Sequence, residues 1–413
     1  MSKDDLKNLA AKFKITVPSQ IDQSQSVLLM DDQQDQRLII SHHLGKMGYK
    51  NIKQCANGLD AFEILKAHGD TFSVVLASME SKVLGGIELL QEIQDSADVK
   101  RPPFLISMHS PSREKIMLAT ESGVDEIVVK PYTLKDIVPK MQRAFKVFHN
   151  PLNPEKVYEL AKQMLRDKNL DTAKAIYTEI ANVTTSAARP WVGLARIAVM
   201  EDQLEEALSH LEKAEKCNPH YVQIFTTRGR ILVKKGKHEE AIKMFAKAIE
   251  ISPLNPMRYE DAATSLFELK QYKEAINLLG VAVKNELSFP KLHHFLSQAY
   301  YAEKDYKMAI RHIRSALNAE PDNIIYLNQL GISYKESNQF DEASKIYNSI
   351  IKLDPENKAA LYNKAILLNS MKKTAEAVKI LERILKKDPS FGPAQTKKRE
   401  YEAALEKGED KAS

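Results

Sequence analysis

The chain holds 413 residues, 43% of them hydrophobic, enough for roughly two to four domains, or one domain and an array; this excludes disordered, collagen-like and mucin-like classes. Sixty basic residues stand against 55 acidic ones, and residues 1–150 carry 19 of each sign, so there is no focused basic block and nucleic-acid binding is not expected. Two cysteines, Cys55 and Cys217, leave no room for a disulfide framework, and the absence of an apolar run of about 18 residues or of a secretory leader points to a cytoplasmic protein without a membrane span.

Residues 1–24 read as an N-terminal arm, in which DLKNLAAKFKI (5–15) has the pattern of a short amphipathic helix or a docked tail before Pro18. Five β-rich runs come next: SVLLM (26–30), NIKQCA (51–56), FSVVLAS (72–78), PFLISM (103–108) and EIVVK (126–130). Between them LIISHHLGKM, GLDAFEILKAH, GIELLQEIQ and REKIMLATESG each place apolar residues on one helical face. Strands of about five residues alternating with helices predict a doubly wound, five-stranded parallel α/β domain over 25–148. The stripe Val138, Met141, Phe145 and Phe148 then reads as core or as contact with the first helices beyond residue 150. Residues 149–153 are a linker, since the prolines of PLNPEK (151–156) stop the preceding helix.

Beyond the linker no strand is predicted, and a repeat begins. Alanines recur every 34 residues at Ala173, Ala207, Ala241, Ala275, Ala309, Ala343 and Ala377. Four residues after each stands a large apolar or aromatic side chain, Tyr177, Leu211, Phe245, Leu279, Ile313, Tyr347 or Leu381. Such a period fits a helical hairpin whose alanine marks the close crossing and whose open apolar side only the next hairpin can cover. The pattern resembles the tetratricopeptide repeat family, with seven units over 154–391 forming an all-α superhelix; 392–413 would be a polar capping helix and a frayed tail. The resemblance implies a concave face made by the first helix of each unit. Its fifth and ninth residues would include Tyr158, Lys162, Arg196, Arg230, Gln298, Asn328 and Tyr362, a surface for an extended peptide or an acidic helix near Arg196 and Arg230, with ordinary solvated surface as the bland reading.

In an open parallel sheet, ligands sit at the carboxyl ends of the strands. Those ends carry Asp31 and Asp32, then Ser78, Met79 and Glu80, then Met108 and His109, then Lys130. Two carboxylates beside a lysine suit a hard cation with a bound anion, or simply a solvated strand end. The acidic pair, Lys130-Pro131 and the runs GGIELLQEI (85–93) and GVDEIVVKPY (123–132) resemble the receiver domain of bacterial response regulators. That resemblance implies an Mg²⁺-binding acidic pair, an aspartate ending strand three that takes phosphate from a histidine kinase, a hydroxyl ending strand four, and a lysine ending strand five. In register, the acceptor position holds Ser78 and the hydroxyl position Met108. A serine hydroxyl is a weak nucleophile without a base, and methionine offers no donor to a phosphoryl oxygen. The expected pocket is therefore degenerate: Asp31, Asp32, Ser78, Met108 and Lys130, with Ser78 hydrogen-bonded to Lys130 and Glu80 replacing some missing charge. No cofactor is expected; Asp31 and Asp32 are the candidate ligands should residual Mg²⁺ bind.

These readings converge on a non-enzymatic signalling adaptor of the two-component or chemosensory type, gripping partner proteins through the repeat array and through the receiver's last two helices and the strand between them. In the receiver family that face also pairs two receivers, so a homodimer stays open. The alternatives are a response regulator with residual Mg²⁺- and phosphate-dependent switching, and a structural or assembly scaffold.

Overall fold

The computed structural model describes the chain except residues 1–2, 13–25, 47, 69–70, 97, 151–152, 185, 254, 286 and 410–413. Pro18 of the arm, Pro151 of the hinge and the end of the expected frayed tail lie outside the described residues. The chain divides into two compact units, Met1–Ser265 with Lys284–Leu287, and Leu266–Val283 with Ser288–Ser413.

The first unit opens with α1 (Lys3–Lys12) and then the α/β domain: β1 (Ser26–Met30), α2 (Gln34–Lys46), β2 (Ile52–Cys55), α3 (Gly58–His68), β3 (Phe72–Ser78), α4 (Gly86–Asp95), β4 (Phe104–Met108), α5 (Arg113–Glu121), β5 (Glu126–Val129) and α6 (Leu134–Phe148). All strands are parallel, in the order β2-β1-β3-β4-β5. Strand alternation sorts their side chains into two apolar layers. Leu28, Met30, Val75, Ala77 and Ile106 lie in one layer with α3 and α4; Val27, Leu29, Val74, Leu76 and Leu105 lie in the other with α2 and α6. Helix α2 starts four residues before the apolar run at Leu38, because its first turn, Gln34–Arg37, is polar and led by Asp35, which suits a helix amino end. In the stripe on α6, Met141 and Phe148 are buried and Phe148 lies beneath Arg101 and Lys156.

Fourteen helices follow: α7 (Pro154–Arg166), α8 (Leu170–Val183), α9 (Arg189–Met200), α10 (Leu204–Cys217), α11 (Val222–Lys234), α12 (His238–Ile251), α13 (Pro256–Glu268), α14 (Tyr272–Lys284), α15 (Pro290–Ala302), α16 (Tyr306–Ala319), α17 (Ile324–Glu336), α18 (Phe340–Leu353), α19 (Lys358–Ser370) and α20 (Thr374–Lys387), of which α7–α8, α9–α10 and α11–α12 pack as hairpins in the first unit and α15–α16, α17–α18 and α19–α20 in the second. Each alanine of the 34-residue series is fully buried, and each large side chain four residues on is buried too. The turn between paired helices has one geometry throughout. Its middle residue is left-handed at Lys168, Asp202, Gly236, Lys270, Lys304, Asn338 and Lys372. The next amide reaches back to the preceding helix, as Asn169 N does to Met164 O at 2.8 Å and Gln203 N to Ala198 O at 2.7 Å, a helix-closing bond that spares an orphan carbonyl.

Helix α1 packs on the first repeat hairpin. Its Leu6 and Leu9 are buried with Val157, Ala161 and Ile176 of the first hairpin, and Lys12 pairs with Glu179 at 2.5 Å. In the second unit α21 (Gly392–Glu409) does the same for the last hairpin, burying Ala394 and Tyr401 while Lys398 faces Glu382 and Glu402.

Candidate functional site

The strand order reverses between β1 and β3, and the site lies at their carboxyl ends. Asp31 stands just after β1 and Ser78 closes β3. Both are buried, as is Lys130 after β5. Lys130 Nζ donates to Asp31 Oδ2 at 2.5 Å and to Ser78 Oγ at 3.1 Å. The other Asp31 oxygen takes the Gln33 amide at 3.0 Å, and Arg37 holds the Asp31 carbonyl. The three side chains thus form a closed Asp–Lys–Ser triad whose charges neutralise each other.

The other candidates do not join it. Asp32 is exposed. Met108 is buried in the apolar layer with Met30 and Ile106, as its side chain requires. Glu80 turns to the next strand end instead of the pocket: its Oε1 accepts from the His109 amide at 3.3 Å and from Lys115 Nζ at 3.4 Å. Glu80 therefore does not supply the missing charge over Lys130. Nor do Asp31 and Asp32 fit a divalent cation as a pair. One is consumed by Lys130, and among the described residues no three His, Cys, Asp or Glu side chains converge to hold an ion.

A second site lies at the far end of α4. The last carbonyls of any helix lack intrahelical donors, and that end carries partial negative charge. Helix α4 adds Glu92 and Asp95 there and no basic residue in its last turn, so it is electrostatically unfavourable by itself. The repeat helices supply what is missing. Lys162 on α7 donates to Ile93 O at 2.7 Å, Arg189 on α9 to Gln94 O at 3.4 Å, and Arg196 on α9 to Asp95 O. The Tyr221 hydroxyl, just before α11, donates to Asp95 Oδ1 at 2.6 Å. Glu92 Oε1 accepts from Asn255 at 2.6 Å, Arg258 at 3.0 Å and Gln223 at 3.3 Å. Burial lifts the Glu92 carboxyl above its usual range, and Arg258 only partly draws it back. Its charged form is thus disfavoured by burial, and its neighbours do not fully offset this. Burial likewise depresses Lys162, against the pull of Glu159 at 2.9 Å.

This arrangement corrects the sequence reading of the concave face. Tyr158, Lys162 and Arg196 are not open to an outside ligand. Tyr158 is buried beneath the Arg189 guanidinium, 3.9 Å from its ring centre; Lys162 is 2% exposed; and Arg196 is spent on Asp95 O and Gln223. A cation placed inside a repeat groove takes the nearest negative helix end, which here belongs to the same chain. Arg230 is 55% exposed and pairs with Asp261 at 2.9 Å. In the second unit Gln298 is half-buried on α15, Asn328 accepts from Asn363 at 3.2 Å, and Tyr362 meets Phe391 edge-on. The residues missed include Tyr221, Asn255 and Arg258, and also Arg189, Gln223 and Met257, the second residues of successive units after Glu155. Glu155 pairs with Arg189 at 2.6 Å, and Met257 packs on the apolar layer that holds Leu89 and Leu90. Their common 34-residue spacing is visible in the sequence once the second position is read as inward-facing.

Residues 27–142 match the family described as response regulator receiver domain; 155–258 match a tetratricopeptide repeat-like domain, and 290–323 and 334–400 match tetratricopeptide repeats. The chemotaxis protein CheY-3 of Vibrio cholerae is 30% identical over 125 residues, which are 30% of this chain and 95% of that protein. The chemotaxis protein CheY1 of Helicobacter pylori is 25% identical over 116 residues, covering 28% of this chain and 93% of that protein. The C-terminal part of a TPR repeat-containing protein from Cytophaga hutchinsonii has the same fold over 58% of this chain and 98% of its own, with a TM-score of 0.50 at 18% identity. No helix among the described residues is long and apolar enough to cross a membrane. The two layers of alternating strand residues and the helical hairpins behind them have one family reading: the chain belongs to the response regulator receivers through residues 27–142, and carries tetratricopeptide repeats after that domain.

Proposed function

We propose that the chain is a non-enzymatic, cytoplasmic signalling adaptor whose receiver takes up no phosphate and whose repeats, with the receiver surface, bind proteins. The observation that carries this is the closed triad of Asp31, Lys130 and Ser78. An acyl phosphate forms on a carboxylate. At the end of β3 the side chain is a hydroxyl, and among the described residues no histidine or carboxylate is bonded to it as a base. The lysine that would steady a phosphoryl group is already neutralised by Asp31. Helix α5 and β5 also leave Ile116, Met117 and Val129 between 42% and 50% exposed, which favours a docking surface on the receiver. The chemotaxis proteins among its relatives make a two-component or chemosensory setting the first one to test.

The test is incubation of the full chain with a small acyl phosphate and Mg²⁺, with intact-mass measurement afterwards. The expected result is no phosphoryl increment, with a phosphate-competent receiver labelled in parallel. A stoichiometric, base-labile increment would overturn the reading.

A further inference from the structure

We propose that the concave face of the first four repeats reads the acidic carboxyl end of an α-helix, that α4 is its resident occupant, and that an outside protein enters by presenting a helix end of the same chemistry. This rests on the array being a protein-binding surface and names what that surface recognises. The donors are ordered, not merely basic. Lys162, Arg189 and Arg196 meet the carbonyls of three consecutive residues, Ile93, Gln94 and Asp95. Tyr221 takes one carboxylate, and Arg258, Asn255 and Gln223 take another one turn earlier. That spacing fits carboxylates at i and i+3 in the last turn of a helix. It does not suit a phosphate backbone or a membrane surface, neither of which offers three consecutive carbonyls with carboxylates one turn apart.

The occupant is releasable. The interface is polar, and polar contacts between domains of one chain generally allow movement. Glu92 is held there against its own cost of burial. Tethering nevertheless gives α4 a high effective concentration, so an outside helix competes poorly until α4 is weakened.

The probe is a fluorescent synthetic peptide of residues 84–98, LGGIELLQEIQDSAD, lactam-stapled because isolated helices this short are marginal in water. Its anisotropy is recorded with the full chain and with a full-length Glu92→Lys/Asp95→Lys variant, in which α4 no longer suits the cradle. The variant should bind the peptide at least about tenfold more tightly than the native chain. Adding Arg196→Ala and Arg258→Ala should abolish that gain, as should the same two charge reversals in the peptide. Equal affinity for both proteins, or no binding by a variant with native circular dichroism, overturns the proposal. If the variant does not fold, hydrogen exchange on the native chain decides: saturating peptide should accelerate exchange of residues 86–95, and unchanged exchange there overturns the proposal. Phosphate uptake with normal peptide binding sinks the adaptor reading alone; no uptake and no peptide binding sinks this one alone.

Discussion

Replacing Lys130 with methionine tests whether the receiver pocket is a closed brace. The Lys130–Asp31 pair is 2.5 Å long and each side chain is 1% exposed. At an effective dielectric of about 20, two unit charges at that distance attract by roughly 6–7 kcal/mol. Desolvation of two buried ions consumes most of this, so the pair adds little by itself. Removing one partner is different. Asp31 would keep only the Gln33 amide and stay buried as an uncompensated charge, at a cost of about 3–5 kcal/mol. Hydrogen exchange of the β1 and β3 amides reads that loss within the receiver itself. Exchange should speed up by about two to three and a half orders of magnitude, at roughly 1.4 kcal/mol per tenfold change. Asp31→Asn should cost a similar amount, and the double replacement Asp31→Asn/Lys130→Met far less than the sum. An acceleration under about tenfold in either single variant would mean that water already reaches the pair. The pocket would then be open in solution, and cation or phosphate chemistry at Asp31 would have to be considered again.

The repeat units give sharper local tests. At Gly229 an added Cβ would stand 2.5 Å from the buried Phe245 ring, so Gly229→Ala should destabilise by about 1–2 kcal/mol in chemical denaturation, overpacking outweighing a helix-propensity gain of about 1 kcal/mol. Gly280 on α14 has nothing within 4 Å of the same atom, and there alanine should stabilise by up to about 1 kcal/mol. At Gly236, whose φ is +70°, alanine should cost about 1 kcal/mol for its left-handed backbone, seen as a lower denaturation midpoint. The His293 and His312 rings share a 3.2 Å contact between Nδ1 atoms; burial lowers both, and burial together with the charges of His293 and Arg311 holds His312 down to about 4. The unfolded rings take up protons below their ordinary value of 6.5 while the native ones do not, so stability is full above that pH and is lost as pH falls towards 4. Exchange in α15 and α16 should accelerate on acidification across that window beyond the intrinsic rate change, and His312→Phe, which keeps the stack on Tyr300, should flatten the dependence.

How much the sequence discloses depends on the range of the forces involved. Strand alternation and the 34-residue alanine column are written in local apolar spacing, and both sheet faces and the buried alanines of the repeats derive from them. The triad is legible too, because Ser78 and Lys130 end strands whose register is fixed by the same alternation. The left-handed turn residue is not, since lysine occupies it at four of seven places and aspartate at a fifth, where glycine would have announced it. Nor is the docking of α1, whose two leucines bury against a hairpin about 150 residues later in the chain. Arg196 and Lys162 look like free cations in sequence because each has a distant backbone carbonyl among its partners, which no residue type reveals.

The two sites are joined by α4. Its first residue, Gly86, is wedged against the end of β3: a Cβ there would lie 2.9 Å from the Ser78 carbonyl and 2.5 Å from Ile106. Its last turn is the part held by the repeats. The helix is ten residues long, so about 14 Å separate the triad's neighbourhood from the clamp. In a receiver with an acceptor carboxylate, chemistry at the end of β3 adds charge at the root of this helix. Here β3 ends in a hydroxyl bonded to a lysine already paired with Asp31, so on the proposed reading no charge is added there. The clamped end is different: a buried glutamate is held against its own solvation, and several cations are spent on one helix terminus. If the receiver takes up no phosphate and α4 is the resident helix end, as proposed above, a change of state would draw on the contacts between receiver and repeats, and control would pass from covalent modification to competition between helix ends.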